Sequence, residues 1–121
     1  MAELRESHLR YLLAIYELSR NDPDVGIQAV AGALNCSKAS VTKMVGNLMD
    51  MKLLVREKYG KIYLTDTGFL LAKDLLRCVE VIHDRLPAMG LDLMEGEAEE
   101  YICIMVVNLP EHCRKRLSGR T

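Results

Sequence analysis

The stretch that decides the fold runs from Asn35 to Gly68 and reads NCSKASVTKMVGNLMDMKLLVREKYGKIYLTDTG. Apolar residues recur at helical spacing after Ser37, which predicts a helix over Lys38–Met51 with Ser37 as its N-cap. The pattern then changes to short strand-like runs, the second being Ile62–Leu64, separated by the turn KYG. A capped helix followed directly by a β-hairpin is therefore expected.

Helices are expected on both sides of this stretch. Apolar periodicity predicts the helices Leu4–Ser19, Ile27–Leu34, Phe69–Leu86 and Glu111–Leu117. The propensity of Tyr101–Val107 favours a strand, but the acidic residues just before it suit the first turn of a helix, and we expect a buried helix there. The order of elements predicts a mostly α fold, with a winged helix-turn-helix followed by a helical domain.

The charge of the chain is unevenly distributed. The 121 residues carry a net charge of −1, yet residues 38–61 contain six Lys or Arg against two acids, and residues 92–100 contain five acids and no base. No uninterrupted apolar run reaches the roughly 18 residues of a membrane span, and the charged N-terminus does not resemble a signal peptide. We expect a cytoplasmic protein that contacts no membrane.

The basic segment predicts an interface for double-stranded DNA. The second helix of a helix-turn-helix enters the major groove with its N-terminal residues at the base edges, while wing cations contact phosphates. The candidate contacts are Ser37, Lys38, Ala39, Ser40, Thr42 and Lys43 on the helix and Arg56, Lys58, Tyr59 and Lys61 on the hairpin. A winged helix used for protein contacts is the alternative. No enzyme is expected, because the chain has no glycine-rich phosphate loop and no catalytic triad spacing.

The same stretch resembles a known family. SVTKMVGNLMDMKLLVREKYGKIYLTDTGFLLA, with YLLAIYEL and IQAVAGALNCSKAS upstream, is similar to the diphtheria-toxin-repressor and manganese-transport-regulator family of metal-dependent transcriptional repressors. The resemblance covers nearly the whole chain and is strongest over residues 11–72. It implies a homodimer on a palindromic operator, with a DNA-binding domain over residues 1–66 and a helical dimerisation domain over residues 67–121.

The resemblance also implies a site for Fe²⁺ or Mn²⁺ between the first helix, the long linker helix and the following helix. The matching positions in this chain are Arg10, Cys78, Cys103, Val106 and Val107. Only the two cysteines can ligate a metal, and the guanidinium of Arg10 would repel a cation. The ligands expected for Fe²⁺ or Mn²⁺ are thus mostly absent, which predicts an altered or lost metal response.

Three roles for the two thiols stay open. Cys78 and Cys103 can be small buried apolar residues, ligands of a soft metal such as Zn²⁺ or Cu⁺ together with His83 or a Glu, or a redox pair. The last two would make the protein a thiol-based sensing regulator. A further hypothesis is that Arg10 supplies a permanent cation where relatives need a bound one, so that DNA binding needs no metal.

Overall fold

The computed structural model describes residues 4–58 and 60–119. Its elements, in chain order, are α1 (Glu6–Asn21), α2 (Ile27–Leu34), α3 (Lys38–Asp50), β1 (Leu54–Arg56), β2 (Ile62–Leu64), α4 (Asp66–Arg85), a 3₁₀ turn (Pro87–Met89), α5 (Glu95–Asn108) and α6 (Glu111–Leu117). The two strands pair antiparallel as the wing. The predicted mostly α fold with a winged helix-turn-helix is confirmed.

The predicted helices differ from the observed ones mainly at their ends. The bounds of α2 and α6 agree with the prediction, and α3 ends one residue earlier than expected. The segment Tyr101–Val107 lies within the helix α5, so its helical interpretation is confirmed against its strand propensity. The helix is buried on one side only, because Tyr101 and Met105 are exposed. The helix α4 begins at Asp66 instead of Phe69, because Thr65 caps it.

Two hydroxyl side chains determine where α3 and α4 begin. The Oγ of Ser37 accepts a hydrogen bond from the backbone N–H of Ser40 at 3.1 Å. The Oγ1 of Thr65 accepts from the N–H of Gly68 at 3.0 Å and donates to the carbonyl of Lys52 at 2.8 Å. Each cap satisfies an N–H that has no partner within its helix, and the Thr65 cap also ties α4 to the loop after α3.

The turn between α2 and α3 depends on a left-handed residue. Asn35 has φ +52°, a conformation that Asn tolerates better than most side chains, and the N–H of Cys36 then bonds to the carbonyl of Ala31 at 3.1 Å. The wing is anchored separately, because the N–H of Ile62 donates to the carbonyl of Val25 at 2.8 Å. Both α3 and the strand β2 of the wing also contact α1.

One aliphatic core joins both halves of the described chain. The helix α1 contacts α2, α3, α4 and α5. The most deeply buried side chains are Leu9, Leu12, Ile15, Val25, Val30, Val41, Val45, Leu48, Leu54, Ile62, Leu75, Ile102 and Val106. Among the described helices, none has both the length and the apolarity needed to cross a membrane.

Candidate nucleic-acid interface

The helix α3 has one buried face and one exposed face. Val41, Val45 and Leu48 are buried at spacings of four and three, which places them on the side that packs on the core. The residues predicted to contact DNA are all exposed, namely Ser37, Lys38, Ala39, Ser40, Thr42 and Lys43. The structure therefore brings the six helical candidates together at the N-terminal end of α3.

Local hydrogen bonds order the hydroxyls on this surface. The Oγ of Ser37 lies 2.9 Å from the Oγ of Ser40, and Thr42 donates its hydroxyl to the carbonyl of Lys38 at 2.9 Å. Each hydroxyl oxygen keeps acceptor capacity for a base edge. The surface thus offers small hydrogen-bonding groups flanked by the two lysines, without a bulky side chain in front of them.

The wing lies beside this surface and carries the remaining cations. Arg56, Lys58 and Lys61 are exposed, whereas Tyr59 lies outside the described residues. The Nζ of Lys61 lies 2.9 Å from the Oδ1 of Asp24, and this hydrogen bond is the main cause of the raised pKa of Lys61. Lys61 is therefore held by an acid in the free protein. Sequence reasoning missed Asp24 because it belongs to the segment NDPD at residues 21–24, whose composition predicts only a helix-breaking turn.

A surface cavity of about 320 Å³ connects the wing with α2 and α3. Lys38 of α3 and Arg56 and Lys61 of the wing line it, with Asp24 as its acid. The helix α2 begins at this cavity with Gly26 as its N-cap, and no side chain caps its first turn. Three cations against one acid make the cavity electropositive and suited to an anion such as a phosphate.

The positions that match the family's metal site do not line one common cavity. Arg10 and Cys103 line a mostly apolar cavity of about 400 Å³ between α1, α2, α4 and α5, together with Glu99. Cys78 lines a different cavity between α4 and α6, where its thiol donates to the carbonyl of Arg114 at 3.3 Å. Val106 is buried and Val107 half-buried, and neither side chain can ligate.

Both thiols are kept protonated by their surroundings. Burial raises the pKa of Cys103 to about 11, and the nearby Arg10 guanidinium offsets only part of this increase. Burial also raises the pKa of Cys78. A metal binds the thiolate form, so both environments disfavour ligation. Within residues 4–58 and 60–119, no group of three His, Cys, Asp or Glu side chains could hold a metal ion. The donor set does not fit Fe²⁺ or Mn²⁺, which prefer oxygen and nitrogen donors.

The chain is similar to known regulators. Residues 3–62 match a protein family described as iron dependent repressor, N-terminal DNA binding domain. Over 82 residues the chain is 34% identical to the HTH-type transcriptional regulator MntR of Shouchella clausii (strain KSM-K16). The aligned region covers 68% of this chain and 57% of that protein.

Solved structures show the same likeness. The manganese regulator SloR aligns with a TM-score of 0.74 and 27% identity, over 93% of this chain and 52% of that one. The structure of ScaR with bound Zn²⁺ aligns with a TM-score of 0.64 and 27% identity, over 93% of this chain and 52% of that one. This chain therefore spans only about half the length of these relatives.

Proposed function

Residues 3–62 of this chain belong to the family of iron-dependent repressor N-terminal DNA-binding domains, and on that premise we propose that the protein is a transcriptional regulator that binds double-stranded DNA as a repressor. The observation that carries the proposal is the exposed N-terminal end of α3 beside a cationic wing. The cytoplasm is its proposed location.

The helix α3 is the proposed recognition helix. Its exposed hydroxyls and lysines are groups that hydrogen-bond base edges in a major groove, and Ala39 leaves room for close approach. Arg56, Lys58 and Lys61 on the wing are the proposed phosphate contacts, with Lys61 in competition with the carboxylate of Asp24. Tyr59, which lies outside the described residues, is proposed as a further contact. These roles need several cations on one surface, which the fold brings together from α3 and the wing.

A homodimer is the proposed assembly, with residues 1–66 contacting DNA and residues 67–121 supplying the subunit interface. The support is an apolar surface on and before α5. Met94, Tyr101 and Met105 share one side of the helix at spacings of seven and four residues, and they are 74%, 52% and 38% exposed. Two copies joined through this surface would present two recognition helices, which is the arrangement that reads a palindromic operator.

The response of this protein to metal is proposed to be altered or lost. The positions that match the relatives' site hold a guanidinium, two protonated thiols and two valines. Arg10 lies beside Cys103 and Glu99, so it places a fixed positive charge between α1 and α5. We therefore expect the metal-free protein to bind DNA.

The salt dependence of DNA affinity tests the proposal. The logarithm of the affinity for duplex DNA should fall linearly with the logarithm of salt concentration, at a slope of about −0.9 for each phosphate contacted. Lys43→Ala should weaken binding and reduce that slope by up to about one unit. Lys73→Ala is the matched control, because Lys73 is an exposed lysine on α4, away from α3 and the wing.

The same titration separates the competing interpretations. A protein-contact module would bind duplex DNA weakly and would respond equally to the two lysine substitutions. Repeating the titration after EDTA treatment, with elemental analysis of the purified protein, tests the metal part. If EDTA abolishes binding and Mn²⁺ or Fe²⁺ restores it, the metal part of the proposal is wrong, whereas DNA binding itself stands.

A further inference from the structure

The cavity between α2, α3 and the wing contains its own anion. Lys38, Arg56 and Lys61 line the cavity, and Asp24, which contacts Lys61, lines it as well. Asp24 contacts Lys61 at 2.9 Å, which is the distance of a charge-assisted hydrogen bond. A carboxylate therefore occupies part of the space in which these cations would receive a phosphate.

The position of Asp24 is fixed by the loop that carries it. The N–H of Asp24 donates to the Oδ1 of Asp22 at 2.8 Å, and the next residue, Val25, is buried and accepts from the N–H of Ile62 at 2.8 Å. The backbone of the loop is thus bonded to the strand that follows Lys61. The backbone of Asp24 therefore stays beside the wing while this contact persists, and only its exposed side chain can rotate away from Lys61.

We propose that Asp24 acts as an internal competitor of DNA phosphate and thereby weakens the binding of the wing to the DNA backbone. This inference rests on the proposed DNA-binding function and adds a residue that opposes it. A phosphate entering the cavity meets the like charge of Asp24, and Lys61 must share its ammonium between the two anions. The effect is independent of base sequence, because it concerns phosphates alone.

The competition limits affinity without removing the interface. Lys38 and Arg56 face the same cavity and remain available for a phosphate, since the acid contacts Lys61. The Asp24 and Lys61 side chains are 61% and 45% exposed, so solvent screens their attraction and a phosphate can displace the acid. Asp24 thus sets how tightly the protein holds any duplex, which keeps non-specific binding weak.

A double-mutant cycle on the pair tests this role. Fluorescence anisotropy would measure the affinity of the wild type, Asp24→Asn, Lys61→Gln and the double variant for a random-sequence duplex over a range of salt concentrations. Asp24→Asn should bind about threefold to fivefold more tightly, as expected when one ammonium gains a phosphate contact in a water-like dielectric. Its salt slope should steepen by up to about 0.9, because Lys61 then contacts a phosphate without competition from Asp24.

The cycle has a specific signature. Lys61→Gln should weaken binding by less than twofold in the wild type and by about fivefold in the Asp24→Asn background, because Asp24 competes with DNA phosphate for Lys61 only in the wild type. Two controls accompany it. Glu80→Gln makes the same change in net charge at an exposed site on α4 and should leave the affinity unchanged, and Asp24→Glu keeps the carboxylate and should bind as the wild type does.

The outcomes separate this inference from the function on which it rests. A wild type that binds no duplex DNA overturns the proposed function and this inference with it. A wild type that binds, with Asp24→Asn giving the same affinity and slope, overturns only the role of Asp24. Equal effects of Lys61→Gln in both backgrounds would also overturn that role, since they would mean that Asp24 does not compete with DNA phosphate for Lys61.

Discussion

Gly68, in the first turn of α4, lies directly against the backbone carbonyl of Leu53, in the loop after α3. A Cβ on Gly68 would overlap the carbonyl oxygen of Leu53, and backbone atoms cannot move aside as a flexible side chain can. The N–H of Thr65 bonds to this same carbonyl at 3.0 Å. The close approach therefore fixes the long helix α4 to the end of the helix-turn-helix.

Gly68→Ala is expected to destabilise the protein strongly. The added methyl group forces α4 away from Leu53 and strains the hydrogen bonds around Thr65, and overpacking of this kind costs about 3 kcal/mol. Urea denaturation monitored by circular dichroism measures the free energy of unfolding. Gly46→Ala is the matched control, because a Cβ at Gly46 meets nothing within 4 Å on α3, and the gain in helix propensity should stabilise by about 1 kcal/mol. Equal effects of the two substitutions would contradict the close approach.

The N-cap of the recognition helix offers a second prediction. Ser37→Ala removes the acceptor of the Ser40 N–H and should lower the free energy of unfolding by about 1 kcal/mol. Ser37→Asp keeps a good cap and should retain the stability of the wild type. Its negative charge should nevertheless weaken DNA binding, because Ser37 is exposed at the proposed interface. Thermal unfolding and anisotropy measured on the same samples would separate the two roles, and equal stability of the Ala variant would contradict the cap.

Local signals explain why much of this fold could be predicted. Ser37 and Thr65 are recognisable caps because their hydroxyls act within three residues along the chain. The bounds of α2 are predictable because the helix-breaking segment NDPD precedes it and a polar turn follows it. The apolar pattern of α4 begins only at Phe69, whereas the helix begins three residues earlier, after its recognisable cap Thr65.

Contacts between distant segments explain what could not be predicted. The approach of Gly68 to Leu53 and the ion pair of Asp24 with Lys61 join residues that no periodicity relates. The same holds for Cys78 and Cys103. The resemblance placed them in one site, but the structure sets the first against α6 and the second beside Arg10. Which cavity a side chain lines depends on how the helices pack, and the linear pattern does not contain that information.

The exposed apolar side of α5 provides a third prediction. Replacing Tyr101 and Met105 together by Glu should raise the dissociation constant of the proposed dimer by about thirtyfold or more, equivalent to about 2 kcal/mol, because two charges would be buried in the interface. Both side chains are exposed in the single chain, so the helical circular dichroism should persist. Sedimentation velocity measures the assembly.

The control for this variant is Val55→Glu. Val55 is 48% exposed on the wing. The substitution therefore places a charge at an exposed apolar position far along the chain from α5. It should leave the assembly unchanged. A Tyr101 and Met105 double variant that sediments as the wild type would show that subunits meet elsewhere.

The buried thiol of Cys103 should make stability depend on alkaline pH. Its pKa is about 11 in the folded protein, against an ordinary value of 9.0. Between these values the unfolded chain loses the proton first and so binds fewer protons than the folded chain, which makes the free energy of unfolding fall as pH rises. The contribution is complete below about pH 9 and is mostly lost by about pH 11, with a total of roughly 3 kcal/mol, of which roughly 2 kcal/mol is lost between about pH 8 and about pH 10.5. Cys103→Val removes the thiol while keeping an apolar side chain of similar size, and the loss of stability from pH 8 to pH 10.5 should become smaller in this variant by roughly 2 kcal/mol.

Cys113→Ser, at a half-exposed site on α6, should lose as much stability as the wild type over the same range. Urea denaturation at both pH values measures all three proteins, and the other titrating groups cancel in the comparison. If Cys103→Val and the wild type lose stability equally, burial does not raise the pKa of the Cys103 thiol.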